Sequence, residues 1–117
     1  MFSGTHITLF SHDAEADRAF FRDVLRLPAV DAGGGWLIFA LPRAELGVHP
    51  AEADGPAGTE FYFMTEDVAG LIAELAGRNV AADAVTDAGW GLLTHIALPG
   101  GGRLGIYQPR HARPPAD

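Results

Sequence analysis

The sequence predicts an α+β fold in which two βαβββ units form one curved mixed sheet around a shared cleft. Two observations carry this expectation. The order strand, helix, three short strands can be read twice along the chain, and the two readings register on each other. His6 and Asp13 keep the spacing of Glu60 and Asp67, and Leu46-Gly47-Val48-His49 parallels Leu104-Gly105-Ile106-Tyr107. A repeat of this size makes each copy one supersecondary unit that cannot bury both faces of its own sheet. The helix covers one face, and the other must curl around a ligand, the second copy or a partner. With 117 residues the chain suits one domain. We place that domain at 1–112, with the first unit at about 4–50, the second at about 58–109 and a flexible tail at 113–117.

Each element follows from local pattern. Thr5 to Phe10 alternates polar and apolar residues with β-branched members, which reads as a strand. Asp13 is an N-cap, with Glu15 and Asp17 in the first turn, where the helix dipole favours acids. Ala16, Phe20, Phe21, Val24 and Leu25 recur at helical spacing, and the helix is expected to end near Arg26, before Pro28. Strands are expected at 29–31, 36–41 and 45–49, with Gly33-Gly34-Gly35 and Pro42-Arg43 as turns. The second copy gives a strand at 60–65 and an Asp67-capped helix with Val68, Leu71, Ile72 and Leu75 on one stripe. Gly77 stands where a left-handed C-terminal glycine belongs. Strands at 82–86, 90–98 and 103–108 complete the pattern.

Composition narrows the function. The net charge is −7, which disfavours nucleic acid and anionic membrane surfaces as partners. Cysteine is absent, which excludes disulfides, thiolate metal sites and a cysteine nucleophile. No apolar run approaches the roughly 20 residues of a spanning helix. The start, Met1 to His6, lacks the basic region of a signal peptide, so a cytoplasmic location is expected.

Alternation also assigns faces. Ile7 and Leu9 suit the helix side, leaving His6, Thr8 and Phe10 for the cleft. Phe61 and Phe63 pack on the helix, with Glu60, Tyr62 and Met64 opposite. Leu46 and Val48 leave Glu45, Gly47 and His49, and Leu104 and Ile106 leave Arg103, Gly105 and Tyr107. Aromatics, a few polar groups and two glycines suit a small-molecule pocket.

His6-Ile7-Thr8-Leu9, Asp13, the run Ala19 to Leu25, Glu66-Asp67-Val68 and the ending Leu98 to Tyr107 carry a family likeness. By them the chain resembles the vicinal oxygen chelate superfamily, which includes glyoxalase I, fosfomycin-resistance enzymes, extradiol dioxygenases and bleomycin-resistance proteins. The resemblance covers nearly the whole chain. It implies that metal ligands, where a member has them, lie on the first and last strands of each unit. His6 matches the first such position and Glu60 stands where the second unit usually offers His. Glycines, Gly47 and Gly105, occupy the two last-strand positions and have no side chain to coordinate with. A catalytic metal needs about three protein ligands. His6 and Glu60, with Glu45 or His49, are the set a metal would use; His95 and Tyr107 are further options.

Bland readings stand beside these. His6 is read as a pocket hydrogen-bonding group, with metal ligand and satisfied strand histidine as alternatives. Glu60 is a ligand or general base, or a solvated carboxylate at a strand start. His49 is expected at the surface, as are His12 and His111; the face of His95 stays open. Trp36, Trp90 and Tyr107 are core packing or a stacking platform for a flat ligand. The resulting expectation is a binding protein of the bleomycin-resistance type, holding a hydrophobic or aromatic molecule such as an antibiotic without a cofactor. Its ligand set is His6, Thr8, Phe10, Trp36, Gly47, Glu60, Tyr62, Met64, Trp90, Gly105 and Tyr107. The alternative is a divalent-metal enzyme of the glyoxalase, dioxygenase or thiol-transferase type. The superfamily analogy further implies a homodimer.

Overall fold

The computed structural model describes residues 6–47, 50, 53–55 and 59–114. Helix α1 spans Ala14–Ala19 and runs on into a π-helical turn, Phe20–Val24. Strands β1 (Ala29–Asp31) and β2 (Leu37–Phe39) form an antiparallel hairpin. Then come β3 (Tyr62–Met64), α2 (Val68–Ala76), β4 (Thr86–Asp87), β5 (Gly91–Ala97) and β6 (Arg103–Pro109). These last four strands make one mixed sheet in the order β3-β6-β5-β4. Only β3 and β6 are parallel, because α2 makes the crossover that parallel neighbours need. No helix among the described residues is long and apolar enough to cross a membrane.

Both expected N-caps form. The Asp13 carboxylate accepts from the Ala16 N–H at 3.1 Å and the Asp67 carboxylate from the Gly70 N–H at 3.0 Å. Each satisfies one donor that the first helical turn leaves open. The far end of α2 corrects the sequence expectation. Gly77 is right-handed (φ −65°), and the left-handed residue is Asn79 (φ 61°). Asparagine tolerates that region through its short polar side chain. Arg26 (φ 58°) plays the same part after the π-helical turn. Arg78 joins the two helix ends, since its guanidinium donates to the Val24 carbonyl and also bonds Glu74.

The core sits between the helices and one face of the large sheet. Phe20, Phe21, Leu75, Ile96, Leu98, Leu104 and Ile106 are buried together, each worth about 1.5–3 kcal/mol relative to exposure. Phe21 meets Phe39 at 5.7 Å and Phe63 at 6.5 Å between ring centroids, bringing the small hairpin onto the same core. The Gly33-Gly34-Gly35 turn of that hairpin has positive φ throughout, which only glycine adopts freely. The Asp31 carboxylate fastens it by accepting from the N–H groups of Gly33 and Gly35.

The first copy of the pattern is less complete than the sequence predicts. Residues 6–10 form no strand, and Ile7, Leu9 and Phe10 are exposed, Phe10 at 97%. The physical reason is pairing. An extended segment is stable as a strand only when its N–H and C=O groups meet a neighbour, and no strand among the described residues pairs with this one. Residues 45–47 likewise form no strand, and Leu46 is 90% exposed. Val48 and His49 lie outside the described residues.

Candidate functional site

Strand register decides what lines the open face of the large sheet. Leu104 and Ile106 point to the core, as does the alternating set Thr94, Ile96 and Leu98 of β5 and the turn after it. The opposite face therefore carries Tyr62 and Met64 of β3, Gly105 and Tyr107 of β6, and Leu93 and His95 of β5. Tyr62 lies beside Gly105, which in turn faces His95; Met64 lies beside Tyr107, which faces Leu93.

Three large rings meet there, edge to face. Ring centroids are 6.3 Å apart for Tyr62 and Trp90, 5.7 Å for Tyr62 and Tyr107, and 5.0 Å for Trp90 and Tyr107. The interplanar angles are 72°, 86° and 80°, the arrangement ring quadrupoles prefer. His95 adds a fourth ring, 6.1 Å from Tyr62. Two glycines make the cluster possible. A Cβ on Gly105 would stand 2.2 Å from Tyr62 Cδ1, and one on Gly91 would stand 2.8 Å from Tyr107 Cδ2. The lack of a side chain at Gly105 therefore leaves no gap in the cleft, because the Tyr62 ring fills the space.

Polar partners surround the rings. The Tyr62 hydroxyl donates to the Glu60 carboxylate. Burial first, and the Glu60 carboxylate second, push the Tyr62 hydroxyl up to about 12. Burial likewise raises Tyr107, with the Glu45 charge adding to the rise and Arg113 opposing it. Both phenols therefore stay protonated donors at neutral pH. The Tyr107 hydroxyl lies 3.1 Å from His111 Nε2, while His111 Nδ1 donates to the Ala112 carbonyl at 2.8 Å. The Arg113 guanidinium pairs with Glu45, and His111 lies 3.9 Å from the same carboxylate. Arg103 pairs with Asp83 and Arg110 with Asp87.

The structure brings Glu60, Tyr62, Met64, Trp90, Gly105 and Tyr107 of the expected ligand set to one face. His6, Thr8, Phe10 and Gly47 lie on exposed segments outside any strand. Trp36 is 67% exposed and lies under the Arg18 guanidinium, 4.8 Å from ring centre to charge. Sequence reasoning left the face of His95 open and did not place Arg113, and it expected His111 at the surface, where the structure has it half-buried against Tyr107. For His95 a signal existed, since Thr94, Ile96 and Leu98 alternate into the core. His111 has none, because it lies beyond Pro109, after the strand periodicity ends.

Among the described residues no three His, Asp or Glu side chains converge as metal ligands would. Glu45 is held by Arg113, Glu60 by Tyr62, and His49 lies outside the described residues. Among the described residues this donor set does not fit a mononuclear metal centre. Two apolar grooves of about 310 and 340 Å³ lie elsewhere, one along β1 and β2, the other between Phe20 and Val80. Neither is lined by the three rings.

No family model and no curated protein matches the sequence. Solved structures do match. TnmS3, an antibiotic binding protein from Streptomyces sp. CB03234, is 25% identical over 93% of this chain and 99% of its own, with a TM-score of 0.62. A lactoylglutathione lyase from Agrobacterium tumefaciens is 20% identical over 86% of this chain and 88% of its own, at 0.61. An integron cassette protein from the mobile metagenome of the Halifax Harbour sewage outfall is 21% identical over 80% and 87%, at 0.59. The chain's structural neighbours are thus vicinal oxygen chelate proteins of the glyoxalase type, and its α+β architecture with mixed sheets is theirs.

Proposed function

We propose that this chain is a small-molecule binding protein that sequesters a hydrophobic or aromatic ligand, such as an antibiotic, without metal-dependent chemistry. The observation that carries this reading is the Tyr62 ring lying across Gly105. By the superfamily resemblance, that is where metalloenzymes place a metal-binding glutamate. Here an aromatic face stands in place of a carboxylate, and Trp90 and Tyr107 extend it. Such rings bind flat apolar molecules by stacking, and the paired hydroxyls supply orientation. The likeness to an antibiotic binding protein supports the same reading. Tyr62, Trp90 and Tyr107 are the core of the proposed site, with Met64, His95 and Glu60 at its edge.

Native mass spectrometry, before and after incubation with a small-metabolite extract, tests this. A retained organic mass, released unchanged on denaturation and weakened about tenfold by Trp90→Ala, is the expected result. One divalent ion per chain, lost on His6→Ala, would replace this reading with the metal-dependent enzyme.

We further infer two βαβββ units, the first completed in a homodimer. Among the described residues, the exposed large apolar side chains, Val85 excepted, fall between Ile7 and Leu46. A second copy would bury that surface and give the unpaired residues 6–10 a neighbour. Light scattering after size exclusion should give twice the chain mass; a monomer at all concentrations rules the dimer out.

A further inference from the structure

Tyr107 points to the open face of the sheet, yet it is only 9% exposed. Part of what covers it is the segment Arg110–Arg113, which continues from β6. This segment is fixed at both ends. The Arg110 N–H donates to the Trp90 carbonyl at 2.9 Å, and Arg113 reaches Glu45, a residue 68 positions away in sequence. Between them the His111 ring lies 5.9 Å from Tyr107, tilted by 35°. The Glu45 side chain is 15% exposed. Taking a carboxylate this far out of water is costly without a partner, and its partner is the Arg113 guanidinium.

We infer that Arg113 is a built-in competitor: it holds the place of a cationic group on an aromatic ligand, which displaces it from Glu45 and lifts the segment off Tyr107. The inference rests on the proposed ligand site and names the chemical class it selects. Glu45 next to the Tyr107 ring offers a carboxylate and a π face together, the pairing that holds ammonium and guanidinium groups. The other cations at this sheet, Arg103 and Arg110, are already paired with Asp83 and Asp87. An anionic ligand would have to break one of those pairs and sit beside Glu45 and Glu60. A cationic one only exchanges with Arg113. The net charge of −7 favours the same sign at long range. The geometry joins these groups: His111 lies 3.1 Å from the Tyr107 hydroxyl and 3.9 Å from the Glu45 carboxylate, which Arg113 grips at 2.5 Å.

Benzamidine, an aromatic cation, and benzoate, its anionic counterpart, are suitable probes. Their binding is read from Trp90 fluorescence in a Trp36→Phe background. Arg113→Gln should tighten benzamidine about tenfold by removing the competitor. Adding Glu45→Gln should abolish the gain, and benzoate should bind weakly to every variant. Arg113→Gln should also make Trp90 more accessible to acrylamide, a reading that needs no ligand. Benzamidine affinity unchanged by Arg113→Gln, or benzoate binding as well as benzamidine, overturns the inference. If native mass spectrometry then still finds a retained neutral aromatic, the binding function stands and only the cation exchange falls.

Discussion

Gly105→Ala should destabilise the fold by about 2–3 kcal/mol and abolish ligand binding. The added methyl would stand 2.2 Å from Tyr62 Cδ1, 2.4 Å from Cε1 and 3.2 Å from Cγ. These atoms belong to the base and edge of the ring, so the side chain cannot bend away at its tip. The whole ring must rotate about χ1. Doing so breaks its edge-to-face contacts with Trp90 and Tyr107 and its bond to Glu60. Overpacking costs about 1–3 kcal/mol, and each lost aromatic pair about 0.5–1.5 kcal/mol. Part is recovered as the ring finds a new position, which leaves the estimate above. Urea melts of Gly105→Ala, alone and with Tyr62→Ala, measure it. If the clash is the cause, most of the Gly105→Ala cost disappears once Tyr62 is gone. An equal cost in both backgrounds would mean that the strand backbone, not the ring, requires glycine. The same geometry predicts that Gly105→Glu builds no metal site, because the new side chain meets the ring first.

The second half of the chain was legible because its signals are local. Asp67 caps α2 as its spacing predicts, the Val68–Leu75 stripe faces the core, and the alternation of β6 gives the correct faces for Leu104, Gly105, Ile106 and Tyr107. β4 is shorter than expected, with only an isolated bridge from Ala82 to Ile96 ahead of it. The first half shows what alternation does not contain. His6 to Phe10 has a strand's pattern, but a strand also needs a neighbour, and its sequence says nothing about where that neighbour comes from. The same limit governed the site. Face assignment put Tyr62 and Gly105 on one surface, yet only the parallel register sets one beside the other. Register turned an apparent vacancy into an occupied one. Glu45 was one of two candidates for a third metal ligand, with His49, because alternation put both on the cleft side of an expected strand. Its partner Arg113 lies in a segment without periodicity, where pattern gives no contact.

Asp17→Ala should cost about 2–3 kcal/mol, although the residue lies far from the rings. Asp17 follows the acidic rule for a first helical turn, but its carboxylate does more than answer the dipole. It is 7% exposed and accepts from the Gly100 N–H at 2.7 Å, joining α1 to the turn between β5 and β6. Gly100 has no room for a side chain: a Cβ would stand 1.9 Å from Ser11 Oγ and 2.7 Å from Asp17 Oδ2. The Gly100 carbonyl completes the junction by accepting from the His12 N–H at 3.3 Å. Removing the carboxylate leaves a buried N–H without a partner, and hydrogen bonds to charged groups contribute about 1.5–3 kcal/mol. Asp17→Asn keeps an acceptor oxygen in place and should cost about 1 kcal/mol. Hydrogen exchange adds a local reading. In Asp17→Ala the α1 amides should exchange faster while those of β5 and β6 keep their protection, because the contact anchors the helix and the sheet carries its own ladder. Asn as costly as Ala would show that the charge, rather than the acceptor, holds the turn. Equal loss of protection in α1 and the sheet would show that the junction is part of one cooperative unit, with the first half inseparable from the second.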